Sequence, residues 1–303
     1  MELHQLRYFF AVAESGNFTA AARKCHVAQP SLSQQIKKLE DELGRTLFDR
    51  LGRRAELTEA GRTFMSRAQR ILQDVDDAKR AVHDGAGESI LRFGVIPSTA
   101  PYVLPELLPR LRESMPDTKF EVLEDFRTYL IEQILAGKLD AAIVTMPPDR
   151  PHLEIEPLFN EPLLAVMPDK HALAAKTNLR PADLEGQHLV LLGDSSSLSL
   201  QTQRFFGDND VAVEISCRCA QVKTVKALVA AGLGIAILPK MAAGRDGIPG
   251  LVYRELTDPS PRRELVLVRH QQRFHGRAEE TFRTALREFC AERYPSGTRT
   301  AKT

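Results

Sequence analysis

The sequence predicts an α/β chain in two parts: an N-terminal helix–turn–helix with a small β-wing, then a long helix leading into two α/β lobes. Three observations predict it. Apolar residues recur at helical spacing through the first 43 residues, broken by Gly16-Asn17 and by His26-Val27-Ala28-Gln29. One apolar seam runs from Phe64 to Val82. Beyond the stretch Asp84-Gly85-Ala86-Gly87-Glu88-Ser89, short apolar strands alternate with helical segments, the pattern of a mostly parallel sheet covered by helices.

In order along the chain, Leu3, Leu6, Phe9, Phe10, Val12 and Ala13 give the first helix its apolar face, over residues 3–15. Asn17 is placed to cap a short helix over Phe18–Cys25. Pro30 stands at a natural first helical position, and Ser31–Leu43 continues with Leu32, Ile36, Leu39 and Leu43 on one face until Gly44. Leu47–Arg50 and Ala55–Thr58 flank a Gly52-Arg53-Arg54 tip and read as a hairpin. Thr58 caps a helix reaching about Asp84. Its seam of Phe64, Ala68, Ile71, Leu72, Val75, Ala78 and Val82 asks for a partner helix, and dimerisation is expected there. Strands are expected at Leu91–Ile96, Thr118–Leu123, Ala141–Thr145, Leu163–Met167, Leu189–Leu192, Ala212–Cys217, Ile235–Leu238 and Leu265–Val268. Helices are expected at Val103–Glu113, Tyr129–Gly137, Leu200–Phe206, Lys223–Ala231 and Ala278–Glu292. This organisation gives residues 1–58 as the first domain, 59–88 as linker helix and hinge, 89–294 as the two lobes, and 295–303 as a disordered tail. Lobe 1 spans about 89–162 and 268–294, and lobe 2 about 163–267.

Composition narrows the function. Of 303 residues 43% are apolar and 27% charged, ordinary values for a chain that buries cores. The net charge of +1 excludes a uniformly basic nucleic-acid coat. Charge is nonetheless uneven, because Arg23–Arg54 holds eight basic and four acidic residues, so this segment is +4 and the remainder −3. The asymmetry points to an anionic partner for the N-terminal end. Without a signal peptide or a membrane-length apolar run, the chain is expected in the cytoplasm and off the membrane. Four cysteines do not make a disulfide scaffold. The eight histidines show no ligand spacing, and phosphate-loop, dinucleotide and nucleophile-elbow motifs are missing. The expectation is therefore no catalytic residues, no metal and no cofactor.

The basic segment contains the helix–turn–helix. A DNA major groove admits one α-helix, whose N-terminal residues meet base edges. Gln29, Pro30, Ser31, Ser33, Gln34 and Lys37 lie at or near the start of the third helix, and Gln and Ser suit base edges. Arg50, Arg53 and Arg54 on the wing suit phosphates or the minor groove.

These residues also carry a resemblance. The runs Leu6-Arg7-Tyr8-Phe9-Phe10, Phe18-Thr19-Ala20-Ala21-Ala22, Gln29-Pro30-Ser31-Leu32-Ser33-Gln34-Gln35-Ile36, Leu39-Glu40 with Leu43-Gly44, Leu47-Phe48 with Arg50, and Leu57-Thr58 with Ala60-Gly61 resemble the LysR-type transcriptional regulators. The likeness is ungapped over about 60 residues and looser to about residue 290. It implies a winged helix–turn–helix, a linker-helix homodimer forming a homotetramer on promoter DNA, contact with RNA polymerase, and an effector domain like type 2 periplasmic binding proteins.

Two turns are candidates for a small-molecule effector of unknown identity, since ligands in open α/β lobes sit near helix N-termini. One is Ile96-Pro97-Ser98-Thr99-Ala100, the other Gly193-Asp194-Ser195-Ser196-Ser197-Leu198. The expected contacts are Ser98, Thr99, Ser196, Ser197, Leu198 and Gln221, with ordinary N-capping as the bland alternative for the hydroxyls. The resemblance adds Arg127 and Thr128, and an arginine there favours an anion. The effector half resembles the peroxide-sensing, OxyR-like branch through Ile96-Pro97, Pro101-Tyr102, Leu104-Pro105 and Val229-Ala230-Ala231-Gly232. That branch uses a reactive and a resolving cysteine, and the resemblance sets Ser197 and Phe206 at those places. Neither has a thiol. Cys217 and Cys219 share one strand face and are expected to be small buried residues. A redox regulator, a transporter's solute-binding protein and an α/β enzyme stand as the competing classes.

Overall fold

The computed structural model describes residues 1–51, 54–83, 89–147, 149–245 and 247–295. The chain divides into two units, Met1–Asp84 and Gly85–Thr303. The long helix therefore groups with the N-terminal unit rather than standing as a separate segment. The wing tip Gly52-Arg53, the hinge at 84–88 and the tail at 296–303 lie outside the described residues.

The first unit contains α1 (Leu3–Ser15), α2 (Phe18–Lys24), α3 (Gln29–Leu43), β1 (Phe48–Leu51), β2 (Arg54–Leu57) and α4 (Glu59–His83). Gly16 closes α1 at φ +58° and Gly44 closes α3 at φ +65°, both in the left-handed region that glycine adopts without a Cβ penalty. Asn17 Oδ1 accepts from the backbone N–H of Thr19 at 2.8 Å and of Ala20 at 3.0 Å, the expected cap. Leu6, Phe9, Val12, Leu32, Ile36 and Leu39 are all buried, as the helical spacing predicts. Leu3 and Leu43, counted with those faces, are exposed instead, because each sits at a helix end beyond the packed centre. Phe9 is central, its ring 5.2 Å from Phe48 on the wing and 5.1 Å from Phe64 on α4. Two polar ties fix the wing. Glu40, buried on α3, accepts from Leu47 N at 2.7 Å and Phe48 N at 3.3 Å, and Ala55 N donates to Gly16 O at 2.8 Å.

The second unit runs β3 (Ser89–Val95), α5 (Ala100–Ser114), β4 (Thr118–Glu124), α6 (Arg127–Leu135), β5 (Ala141–Thr145), β6 (Leu153–Pro168), β7 (Asn178–Leu179), β8 (His188–Leu192), α7 (Ser197–Asp208), β9 (Glu214–Cys219), α8 (Val222–Ala230), β10 (Ala236–Pro239), β11 (Leu251–Leu256), β12 (Arg262–His270) and α9 (Arg277–Arg293). The main sheet has the order β4-β3-β5-β12-β6-β11-β7, with β10 also on β6, and β8 pairs β9 apart from it. The expected mostly parallel sheet is corrected. β3 is parallel to β4 and β5, but β12 is antiparallel to β5 and β6, and β10 and β11 are antiparallel to β6. The reason lies in two strands that a short apolar run does not reveal. β6 is 16 residues long, not the expected Leu163–Met167, because alternating polar residues extend it back to Leu153. β11 was not expected at all, since Leu251-Val252-Tyr253-Arg254-Glu255-Leu256 mixes charge into its pattern. β6 pairs with β12 up to Pro162 and with β10 and β11 from Leu163 onward, so one strand runs through both lobes. β12 pairs on the lobe 1 side from Arg262, which puts the expected division at 267/268 inside a continuous strand.

Among the described residues no helix is long and apolar enough to cross a membrane. Close packing at the base of α4 makes a prediction. A Cβ on Gly61 would fall 2.2 Å from the Leu47 carbonyl oxygen, a backbone atom that cannot rotate away. Gly61→Ala should destabilise the N-terminal unit by about 1–3 kcal/mol, read as a lower thermal midpoint followed through helical circular dichroism; an unchanged melt would refute the tight packing.

Candidate functional site

The N-terminal unit presents one polar helix end. α3 buries Leu32, Ile36 and Leu39 against α1 and α2, which turns Gln29, Pro30, Ser31, Gln34 and Lys37 to solvent and leaves Ser33 half-buried. Ala28 holds the N-cap position with extended backbone and no side-chain cap, so the free N–H groups of the first turn face outward with those side chains. His26, at φ +55°, makes the tight turn between α2 and α3. Two of the segment's four carboxylates are engaged, Glu40 inward to the wing and Glu42 on the Met1 ammonium at 2.6 Å, while Asp41 and Asp49 are exposed. Lys37 and Lys38 are exposed on the same helix. Arg54 is exposed on β2, opposite Leu51, and Arg50 lies on β1 opposite Ala55, while Arg53 falls outside the described residues.

In the C-terminal unit the two expected turns open α5 and α7. Ser98 and Thr99 precede α5 and are buried. The Ser98 hydroxyl is already engaged, accepting from Arg263 Nη1 at 2.8 Å. Arg263 is fully buried and donates through Nε to Glu161 Oε1 at 2.8 Å, and Glu161 Oε2 accepts from Met241 N at 2.8 Å. This network escaped sequence reasoning. Its one signal was an arginine in step with the inward residues Leu265 and Leu267 of β12. Thr99 Oγ1, by contrast, is buried with no hydrogen-bond partner.

On the other side, Ser196 caps α7 by position, and Ser196, Ser197, Leu198 and Ser199 are all buried. Ser197 Oγ and Thr145 Oγ1 share a hydrogen bond of 2.7 Å, joining the start of α7 to the end of β5. Thr145 was not among the expected residues. Further along α7, Gln201 Oε1 and Thr202 Oγ1 are buried and unpartnered. Arg127 opens α6, donates to the Met146 carbonyl at 2.6 Å, and has its guanidinium pKa lowered by burial and by the like charge of Arg204 on α7. Met146 takes φ +50°, an uncommon conformation for a side chain of that size. Thr128 and Gln221 are exposed, Gln221 at the N-cap position of α8.

The cysteines are reduced and mostly enclosed. Cys219 and Cys290 are buried, Cys25 and Cys217 half-buried, and among the described residues none forms a disulfide. Burial raises the thiol pKa of Cys219 and pushes that of Cys290 to about 12, the opposite of what a reactive thiolate needs. Phe206 packs in the core of α7.

Comparison with known proteins places both units. Residues 3–62 match the model of the bacterial regulatory helix-turn-helix protein, lysR family, and residues 84–291 match the LysR substrate binding domain. The chain belongs to the LysR family. It is a DNA-binding transcriptional regulator with an effector-binding domain, a member of a family of oligomeric regulators and not of enzymes. This LysR-family regulator is 35% identical over 275 residues to the DNA-binding transcriptional dual regulator OxyR of Escherichia coli K12, covering 88% of this chain and 89% of that one. A full-length OxyR variant from Pseudomonas aeruginosa superposes with a TM-score of 0.76 at 28% identity, covering 96% and 95% of the two chains. Full-length CbnR complexed with its target DNA follows with a TM-score of 0.58 at 26% identity, covering 96% and 100%.

The buried ion pair yields a prediction. Arg263→Ala leaves the Glu161 carboxylate buried without its cation, which should cost about 3–5 kcal/mol in urea denaturation of the full chain. A loss below 1 kcal/mol, on the scale of a surface pair, would contradict the burial.

Proposed function

We propose that this LysR-family regulator reads promoter DNA through the exposed start of α3 and is controlled by a small anionic metabolite held between its lobes. The observation that carries the ligand reading is unfilled hydrogen-bonding capacity at the turn before α5 and within α7. Thr99 Oγ1, Gln201 Oε1 and Thr202 Oγ1 are buried without partners, and each such group costs about 1–3 kcal/mol. A ligand bearing donors and acceptors relieves that cost. Arg127, with Thr128 beside it, adds the positive charge that favours an anion, and Ser98, Ser196, Ser197, Leu198 and Gln221 complete the walls. On the DNA side, Gln29, Pro30, Ser31, Ser33, Gln34 and Lys37 meet base edges, and Arg50, Arg53 and Arg54 meet the backbone. The α4 seam pairs with that of a second copy, dimers assemble as tetramers, and the cytoplasmic complex bound near a promoter meets RNA polymerase. Closing or rotating the lobes shifts the wing units on DNA.

A redox reading is favoured by one observation, the likeness to OxyR. It would have to run through Cys217 and Cys219, whose enclosure supports the ligand reading instead. A DNA-binding titration in the presence of hydrogen peroxide separates them: unchanged occupancy in the wild type and in Cys217→Ser leaves the ligand reading standing.

Two outcomes test the proposal. In fluorescence anisotropy against salt, Lys37→Ala and Arg54→Ala should weaken binding to all sequences and each flatten the log–log salt slope by about one. Gln29→Ala should change sequence preference with the slope kept, and wild-type behaviour of all three would overturn the DNA reading. Separately, Thr99→Val should raise the stability of the free protein by about 1 kcal/mol while abolishing the thermal shift given by whichever compound of a carboxylate panel stabilises the wild type; a retained shift would remove Thr99 from the site.

A further inference from the structure

We propose that the C-terminal unit carries a second ligand site, for a small dianion, in the cavity between β6, the 240–242 turn and the end of α9. The cavity holds about 500 Å³, within the range of small-molecule sites. Its walls carry four cations, Lys240, Arg245, Arg262 and Arg293, against two carboxylates, Glu161 and Glu255. Adding the charges that pair with the wall from outside does not change the balance of +2. Glu161 is bound by Arg263, and Arg245 and Arg293 share Glu106 at 2.9 and 3.1 Å.

Two of the cations are available. Among the described residues no carboxylate pairs with Lys240, and Arg262 is held only by Asn160, through its Oδ1 at 2.9 Å and its carbonyl at 3.0 Å. Both side chains are exposed at the mouth. The Asn160 bonds orient the Arg262 guanidinium without neutralising it, the arrangement of a preset anion clamp. Tyr294 also lines the cavity, its ring stacked on Phe159 with centroids 4.2 Å apart and planes 11° from parallel. Its hydroxyl is buried and has no hydrogen-bond partner. Burial holds that phenol at about 12, so at neutral pH it remains a donor. An unpaired donor beside an excess of two positive charges defines the ligand: two negative charges on a short body, as in a dicarboxylate or a phosphoryl group. Size excludes a long polymer, and the charge disfavours a neutral or cationic ligand.

The site is separate from the one assigned to the effector, whose residues Ser98 and Thr99 do not line this cavity. Isothermal titration of the full-length protein with succinate, with inorganic phosphate and with dimethyl succinate tests it. Saturable binding of succinate identifies a dicarboxylate and that of phosphate a phosphoryl group, while the neutral diester should not bind. Lys240→Gln and Arg262→Gln, both surface changes, should each weaken the dianion about tenfold. Tyr294→Phe should weaken it and raise the melting temperature of the free protein, because it deletes an unpaired buried hydroxyl. Thr99→Val should leave the affinity unchanged. The proposal is overturned if neither dianion saturates at millimolar concentration, if Lys240→Gln and Arg262→Gln bind as the wild type does, or if the loss appears in Thr99→Val instead.

Discussion

The C-terminal unit is organised around a guanidinium with no surface in water. Taking Arg263 out of solvent costs several kcal/mol unless its donors are met, and the fold meets them from three other segments: Glu161 on β6, the hydroxyl and carbonyl of Ser98 before α5, and the sulfur of Met241 after β10. Because each partner belongs to a different part of the chain, one side chain sets the relative positions of two strands, a helix start and a turn. A second buried cation works on the same turn. Lys226 donates to the Ala242 carbonyl while lying 5.6 Å from the Tyr102 ring and 5.9 Å from the Tyr253 ring. The turn that follows β10 is thereby held from both sides.

The same economy of polar ties governs the N-terminal unit, with carboxylate in place of guanidinium. Glu40 spends its charge on two backbone N–H groups of the wing, which ties α3 to the hairpin and takes a negative charge off the surface of α3. Apolar packing does the rest. Phe9 touches both the wing and α4, so that helix is anchored in the core of the unit at Phe64 and Ala68, while Val82 near its far end is exposed.

Where the peroxide-sensing relatives are expected to hold a reactive sulfur, this chain has the Ser197 hydroxyl, hydrogen-bonded to Thr145. An alcohol forms neither a thiolate at neutral pH nor a disulfide, so a signal received there is carried by non-covalent contacts. Nearby in sequence, Gln201 Oε1 and Thr202 Oγ1 are buried without a hydrogen-bond partner.

Local sequence determined the helices, the extent of α1, the close of α3 at Gly44 and the surface of α3, whereas α5 and α7 each begin three residues before the apolar runs that mark them. Helical spacing at Leu32, Ile36 and Leu39, a capping asparagine and two left-handed glycines are short-range instructions, each legible within a few residues. The alternation of strands and helices likewise announced two α/β lobes, and the hydroxyls opening α5 and α7 were visible as turns. What only the tertiary structure decided was pairing at a distance. The antiparallel insertion of β12, the length of β6 and the partners of Arg263 join residues up to 165 apart in sequence. No local pattern encodes such a match, because the energy of a buried charge or a strand ladder depends on which distant groups surround it once the chain has closed.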